Sequence, residues 1–277
     1  RNQEPNGSWN RNLIDTSLSV LALYLQGESE QAITKGIEFI AFSINPDGGW
    51  GIIKGEKSSL YPASVVLYGL SQYARTTPEI QSAIDYLYAN KNSDLCWYED
   101  SLSIRDTAEA ILTLLNLEVT DSIISKSINW IYNKSPENTQ ETSLRMLALS
   151  ESVMPQTLDD ILALQNPDGG FGISLGSLSE IDDTISVLRA IGSIDITKSV
   201  TGIDYLIGLQ KDDGGWGVET GGESNVYITA MASSLLQQFP RTTSTTTAIN
   251  EATSFLRAHQ DPDGGFGSVY ETALSYL

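Results

Sequence analysis

The sequence GIDYLIGLQKDDGGWG, residues 202–217, is the clearest copy of a unit that recurs along the chain. Apolar residues follow one another at helical spacing up to Gln210, which is typical of an amphipathic surface helix. The glycines after it permit the positive φ of a tight turn, so the helix is expected to end there. Trp216 then follows the turn and is expected to fold back and pack between neighbouring helices.

This turn recurs in three further clear copies and two weaker ones. The clear copies are Asn45–Gly51 (NPDGGWG), Asn166–Gly172 (NPDGGFG) and Asp261–Gly267 (DPDGGFG); the weaker ones are Asn6–Trp9 and Ser93–Trp97. After each clear turn come a polar loop and a run that is apolar on most sides, as expected of a helix sandwiched between others. Each repeat is therefore predicted to consist of an outer helix, a turn and an inner helix.

The inner helices are predicted to start at seven positions, 35 to 48 residues apart. These positions are Asp15, Ala63, Asp106, Glu141, Asp183, Ile228 and Glu271. Six complete hairpins and the start of a seventh inner helix fit a closed ring with an inner and an outer layer. We therefore expect an all-α fold, an (α/α)6 toroid or barrel. We expect one domain over residues 1–277, in a chain that can have been trimmed at both ends.

The composition excludes several classes of function. Sixteen Lys and Arg stand against 35 Asp and Glu, a net charge of −19 that repels nucleic acids and anionic lipids. The single cysteine, Cys96, and the single histidine, His259, provide no disulfide, no zinc cluster and no Ser/His/Asp triad. With no apolar stretch of about 18 residues, no membrane span is predicted. We expect a cytoplasmic protein that can contact membranes peripherally.

The fifth inner helix opens with Glu180-Ile181-Asp182-Asp183-Thr184, a cluster of three carboxylates. Other copies also carry an acid at the Asp183 position, where it can favour a helix start. Neither Asp182 nor Glu180 has an acidic equivalent in another repeat. Repulsion between clustered carboxylates raises the pKa of at least one of them. A carboxylic acid that stays protonated in a dry site can serve as a general acid. The alternative interpretation is a solvated acidic rim.

Two motifs carry a resemblance to a known family. Gly202, Tyr205, Leu206, Gln210, Gly214 and Trp216 fit the QW repeat of terpenoid cyclases and protein prenyltransferase β-subunits. The acid run resembles the D-x-D-D-T-A motif of class II terpene cyclases, with Glu180 in place of the first Asp and Ile185 in place of Ala. The chain is thus similar to the squalene–hopene cyclase-like β domain and to single-domain cyclases of the merosterolic acid synthase kind.

This resemblance implies an isomerase that starts cyclisation by protonating an alkene. Asp182 matches the middle acid of the motif and is the implied proton donor, flanked by Asp183 and Glu180 as further catalytic acids. The implied substrate is a linear isoprenoid or a prenylated aromatic acid (a meroterpenoid precursor), and no metal or other cofactor is implied. The reaction passes through a carbocation and ends with loss of a proton.

Residues at positions equivalent to Asp182, and two aromatics of degenerate turns, are candidates for binding this substrate. They are Tyr61, Tyr227, Tyr270, Arg105, Trp97 and Trp9. Aromatic faces stabilise cations, although packing between helices explains an aromatic side chain equally well.

Two other functions stay open from the sequence. One is a non-catalytic toroid that serves as a binding module in a larger, secreted protein. The other is a protein prenyltransferase subunit, which requires zinc bound by Asp, Cys and His. That function is disfavoured because Cys96 and His259 fall in different layers of the predicted ring. A hollow, aromatic-lined cavity reaching Asp182 would favour the enzyme over the binding module.

Overall fold

The computed structural model describes residues 3–73, 76–97, 104–149, 154–192, 195–219, 221–262, 265–268 and 271–273. In these residues it contains twelve α-helices, one 3-10 helix and two very short strands, so the all-α prediction is confirmed. The chain divides into two compact units, residues 1–134 with 267–277 and residues 135–266. None of the helices described is long and apolar enough to cross a membrane.

The first unit contains three helical hairpins. Its helices are α1 (Leu13–Leu25), α2 (Glu30–Phe42), α3 (Leu60–Tyr73), α4 (Pro78–Asn90), α5 (Ile104–Asn116) and α6 (Ser122–Tyr132). The inner helices α1, α3 and α5 pack side by side, and each contacts the outer helix that follows it. Side chains cap several helix starts: the Asp121 carboxylate, for example, accepts the Ile123 and Ile124 N–H groups at the start of α6.

The second unit repeats this arrangement. Its helices are α7 (Thr139–Leu149), α8 (Met154–Leu162), α9 (Ile181–Gly192), the 3-10 helix Ile196–Ser199, α10 (Val200–Gly208), α11 (Val226–Gln237) and α12 (Thr243–Ala258). Strands β1 (Trp216–Gly217) and β2 (Ser224–Asn225) pair antiparallel, with Trp216 opposite Asn225. Six predicted inner-helix starts lie within the first turn of the odd-numbered helices, and Glu271 lies in the described helical residues 271–273.

The Gly-Gly turns have the structure that their sequence predicts. In the fifth repeat the Asp168 carboxylate accepts the Gly170 N–H (2.9 Å) and the Ser179 hydroxyl (2.8 Å). Gly169 has a φ of +90°, and a Cβ there would lie 2.5 Å from the Thr201 carbonyl oxygen. The turn therefore requires glycine both for its backbone angle and for its close approach to the next outer helix.

The turn aromatics are buried, as predicted. Trp50, Trp97, Phe171 and Trp216 have no exposed surface. The Trp216 indole donates to the Leu206 carbonyl (2.7 Å), and the Trp97 indole does the same to Leu87 (2.7 Å). The backbone N–H of the aromatic donates to a threonine hydroxyl of the following inner helix, as Trp216 does to Thr229 (2.9 Å). This bond explains why threonine recurs one position after the acid.

Candidate active site

The acidic cluster lies at the start of α9, the middle inner helix of the second unit. Helices α7 and α11 pack on its two sides, and α10 packs behind it. Ile185 and Leu188, both fully buried, anchor α9 in the core of this unit. Along the whole helix up to residue 191, only Asp182, Ser186 and Arg189 remain partly or fully exposed. These three form one accessible stripe, because residues four and three positions apart share a helix face.

Asp182 is held by bonds within its own helix. One of its carboxylate oxygens accepts the Asp183 backbone N–H (2.9 Å), and its carbonyl accepts the Ser186 hydroxyl (2.9 Å). Carboxylate oxygens of Glu180, Asp182 and Asp183 all lie within 4.8 Å of one another. The structure therefore brings together the three acids that the sequence singled out, with Asp182 on the accessible stripe.

Asp183 is the buried member of the cluster, with 1% of its surface exposed. Burial, reinforced by the negative charges of Asp182 and Glu180, raises the pKa of Asp183 to about 6, against a lowering by a hydrogen bond from Gln140. Its Oδ1 atom is buried and has no hydrogen-bond partner among the described residues. The repeat pattern alone assigns Asp183 to stabilisation of the helix start. In the structure, burial shifts this acid toward its protonated form.

Glu180 stands at the capping position of α9; the sequence analysis noted that it has no acidic equivalent but missed the capping role of the residues at this position. At four other inner-helix starts this position holds a residue whose side chain accepts N–H groups of the helix start. The four are Asn12, Asn138, Asn225 and Ser268. The fifth repeat has Glu180 instead, and no hydrogen bond to its exposed carboxylate appears among the described residues. The preference for asparagine and serine at this position in the other repeats was the available signal for its capping role.

Each neighbour of α9 presents a stripe of its own at the same register. The positions equivalent to Asp182, Ser186 and Arg189 are all partly exposed: they are Gln140, Leu144 and Leu147 on α7, and Tyr227, Met231 and Ser234 on α11. Tyr227 packs against the core cluster around α9 and α11. Burial raises the pKa of Tyr227; the charge of Arg189 lowers it and that of Asp182 raises it. The charges of Arg189 and Asp182 therefore both act on the pKa of the Tyr227 phenol.

The other predicted binding residues belong to the first unit or lie outside the described part of the chain. Tyr61 is 49% exposed at the start of α3, and Arg105 is exposed at the start of α5. Trp9 and Trp97 are buried turn aromatics. Tyr270 lies outside the described residues. A role of these five residues in substrate binding stays a prediction.

Glu109, one turn after Arg105, was not singled out from sequence. Its pKa is raised by burial, against a lowering by the Arg105 charge. Its position in the middle of an inner helix, where the other copies carry no charge, was the available signal.

The acidic cluster is also the one group of His, Cys, Asp or Glu side chains in the described structure that could surround a metal ion. Neither Cys96 nor His259 belongs to it. The Cys96 thiol is buried and donates to the Asn92 side chain (3.1 Å). The His259 ring stacks on Phe255 at 4.0 Å between centroids. Both side chains are therefore accounted for by local packing.

An open pocket of about 460 Å³ lies on the turn side of the second unit. Its lining includes Gln165, Asp168, Thr201 and Tyr205. The Gln165 amide donates to the Gly169 carbonyl (2.8 Å) and to the Thr201 hydroxyl (2.9 Å). These are the bonds that connect one hairpin to the next, so the pocket is a consequence of the repeat.

Comparison with known proteins supports the fold. Residues 140–273 match the prenyltransferase alpha-alpha toroid domain. No curated protein sequence matches the chain significantly. Among solved structures, a variant of the type II terpene cyclase MstE from Scytonema, in complex with its product merosterolic acid A, is 13% identical with a TM-score of 0.59. The match covers 99% of this chain and 90% of the chain in that structure.

Two further structures show how widely this fold is used. Candida albicans protein geranylgeranyltransferase-I complexed with GGPP is 13% identical with a TM-score of 0.60, over 95% of this chain and 89% of that one. The ent-copalyl diphosphate synthase of Streptomyces platensis is 15% identical with a TM-score of 0.55 over 96% of this chain, which spans only half of that enzyme. The chain therefore has the α/α toroid fold that these structures share, and its residues 140–273 match the model of the prenyltransferase alpha-alpha toroid domain.

Proposed function

We propose that this protein is a class II terpene cyclase in which Asp182 is the general acid. The observation that carries the proposal is the pairing at the start of α9: an accessible carboxyl, Asp182, beside a buried one, Asp183, whose pKa is about 6. Burial and the negative charges of Asp182 and Glu180 shift Asp183 toward its protonated form. Asp182 is the member that can reach a substrate.

The proposed reaction begins with transfer of the carboxyl proton from Asp182 to a terminal alkene or an epoxide. The electrons of the alkene form the new C–H bond, and a tertiary carbocation remains on the neighbouring carbon. The next double bond of the chain attacks this cation and closes a ring. Loss of a proton ends the sequence, so that an alkene substrate and its product are isomers.

The stripes beside α9 supply groups suited to an isoprenoid and a cationic intermediate. Tyr227 offers an aromatic ring and Met231 a polarizable thioether, both partly exposed on α11. On the other side, Leu144 and Leu147 of α7 offer apolar surface. Aromatic faces and soft sulfur atoms interact favourably with positive charge or with apolar chains. Tyr227, Met231 and Asp182 would therefore act on the same end of a folded isoprenoid.

A panel of linear prenyl alcohols, acids and diphosphates, with and without aromatic head groups, tests this activity by mass spectrometry of products. Asp182→Asn is expected to abolish cyclisation while helical circular dichroism and the melting temperature stay near wild type. Asp15→Asn is the matched control, since Asp15 is a carboxylate in the first turn of α1. Turnover that survives in Asp182→Asn would overturn the assignment of the acid.

One observation favours the second candidate, a non-catalytic binding module. The accessible stripes of α9 and α11 also carry hydroxyl groups, those of Ser186 and Ser234, and hydroxyls suit recognition of a polar ligand better than protection of a carbocation. Saturable binding of a prenyl compound without any product, under conditions where Asp182→Asn binds equally well, would support this candidate instead.

Peripheral membrane contact is part of the same proposal. In the loop before α9, Leu175 is 73% and Leu178 is 88% exposed. The loop of the same length after Trp50 carries Lys54 and Lys57 at these two positions. Exposed leucines without nearby positive charge suit a zwitterionic surface rather than an anionic one. The wild type should co-sediment with vesicles of zwitterionic lipid. The double change Leu175→Ser with Leu178→Ser should weaken this binding more than Val218→Ser does.

A further inference from the structure

The start of α7 is tied to the loop that follows the turn of the fifth repeat. The Thr139 N–H donates to the Ile173 carbonyl (2.8 Å), and the Thr139 hydroxyl donates to the Gly172 carbonyl. Thr139 is fully buried, so water does not compete for these bonds. The next residue, Gln140, therefore starts from backbone that is held against the repeat to which α9 belongs.

Gln140 connects α7 to the acid site. Its side-chain amide donates a hydrogen bond to the Asp183 carboxylate on α9, the neighbouring inner helix. Asp183 is buried, and one of its carboxylate oxygens, Oδ1, has no hydrogen-bond partner among the described residues. Within the described part of the chain, the bond from Gln140 is thus the one side-chain hydrogen bond that holds the Asp183 carboxyl in place.

Gln140 opposes the other influences on Asp183. Burial and, after it, the negative charges of Asp182 and Glu180 raise the pKa of Asp183. The hydrogen bond from Gln140 lowers this pKa, because an amide N–H stabilises the charged form of a carboxyl. Among the described side chains, Gln140 is therefore the one that favours Asp183 as a carboxylate.

The helices packed against α9 add no charge to this balance. No charged side chain on the described residues of α7, α10, α11 or the 3-10 helix contributes to the pKa of Asp183. The Tyr227 phenol on α11 is neutral, because burial raises its pKa above the ordinary value. The Glu141 carboxylate on α7 accepts the Glu137 N–H (2.8 Å). What α7 contributes to Asp183 is therefore the neutral amide of Gln140.

We propose that Gln140 is a positioning residue of the acid site: it holds Asp183 as a hydrogen-bond acceptor, so that Asp182 keeps the proton that is transferred. The inference rests on the proposed function. A proton on the buried Asp183 cannot reach a substrate, whereas a proton on the accessible Asp182 can. The amide N–H binds the carboxylate form of Asp183 and leaves Asp182 as the acid that carries the proton. In acid both carboxyls can carry protons, and Gln140 is no longer needed.

Gln140→Met tests the inference, since methionine has about the length of glutamine but no donor. It should lower kcat about 10-fold near neutral pH, as expected for loss of one charge-assisted hydrogen bond, and should affect kcat more than KM. This loss is well short of that expected from removing the proton donor itself, and it should shrink as pH falls. Gln140→Asn keeps an amide on a shorter side chain and should lie between wild type and Gln140→Met.

Gln81→Met is the matched control. The Gln81 amide also donates to a carboxylate, that of Asp85 (3.0 Å), but on the exposed surface of α4. Its loss should leave kcat unchanged at every pH. Helical circular dichroism verifies that each variant folds.

Carbon-13 NMR of the aspartate carboxyls separates this inference from catalysis, because it needs no substrate. In Gln140→Met the titration of Asp183 should move to higher pH by about one unit, the equivalent of that tenfold change. Asp183→Asn identifies the signal.

An unchanged titration of Asp183, or a loss of kcat that is equal at every pH, would overturn the inference. A shifted titration in a protein that cyclises no substrate would refute the proposed function and leave the effect of Gln140 on Asp183 standing. Cyclisation that needs Asp182 but is indifferent to Gln140→Met would do the reverse.

Discussion

The fifth and sixth repeats share one scaffold and differ where the inner helix begins. In both, an aspartate of the turn binds a glycine N–H and a serine hydroxyl at the same spacing, as Asp168 and Asp213 do. In the sixth, Asn225 caps α11 through the Ile228 N–H (3.0 Å). In the fifth, the equivalent positions hold Glu180 and Asp183, the ends of the acidic cluster.

This difference separates the residues that build the repeat from those that depart from it. The sixth repeat has a good capping side chain at its helix start, Asn225. The fifth has Glu180 there instead, and it buries the acid of its first turn, Asp183, which costs stability in isolation. A local rule broken in one repeat and kept in the next marks a candidate functional site.

The largest expected effect comes from giving α9 the residue that α7 carries at the same position, Asp182→Gln. Loss of a general acid should lower the cyclisation rate by at least about 100-fold, while stability changes little because Asp182 is partly exposed. Product formation over time, measured with the best substrate of the panel, checks this. The reciprocal change, Gln140→Asp, leaves Asp182 in place and should not produce such a loss; comparable losses in both variants would argue against a specific proton donor.

Asp183→Asn should stabilise the protein at neutral pH. The pKa of Asp183 in the folded protein, about 6, lies above its ordinary value, so the folded state binds more protons than the unfolded state between about pH 4 and 6. The wild type therefore loses stability as pH rises through this window. Relative to wild type, Asp183→Asn should gain on the order of 2–3 kcal/mol above pH 7 and nothing below pH 4. Urea denaturation at several pH values measures the difference.

Asp213→Asn provides the contrast of opposite sign in the sixth repeat. Hydrogen bonds from the Gly215 N–H and the Ser224 hydroxyl lower the pKa of Asp213, so its contribution is present at neutral pH and fades as pH falls through the lowered pKa. This variant should be less stable than wild type at pH 7, with the difference shrinking in acid. The same pH trend in both variants would contradict the assignment of a buried, protonation-prone carboxyl to the fifth repeat and not to the sixth.

Much of this scaffold could be predicted from sequence because the same turn between two helices recurs several times along the chain. The Gly-Gly turn, the buried aromatic and the starts of the inner helices followed from glycine angles, helical periodicity and spacing. The hydrogen bond from the Phe171 N–H to Thr184 could not be predicted in this way, because it joins residues 13 positions apart that only the folded structure brings together. For the same reason the burial of Asp183 could not be read from its equivalents Asp15 and Glu141, which are only partly buried.

The hydrogen bond from the turn aromatic to the threonine should contribute equally to stability in the fifth and sixth repeats. Thr184 and Thr229 are both fully buried, and each accepts the N–H of its turn aromatic. Replacement of either by alanine leaves that buried N–H unsatisfied and should cost about 1–3 kcal/mol of unfolding free energy. Thermal and urea denaturation of Thr184→Ala and Thr229→Ala should give matching losses. A loss confined to Thr184→Ala would instead connect this threonine to the acid site.

The smallest expected effect concerns the caps. Glu180→Asn gives α9 the capping residue that α11 has, and should stabilise the protein by about 0.5–1 kcal/mol, because asparagine is a far better N-cap than glutamate. Asn225→Glu removes the side-chain bond to the Ile228 N–H and should destabilise it by a similar amount. If Glu180→Asn also slows cyclisation, the fifth repeat holds a poor cap because its carboxylate serves the acid pair. If stability rises and the rate is unchanged, Glu180 has no part in the chemistry, and the acid site reduces to Asp182 and Asp183.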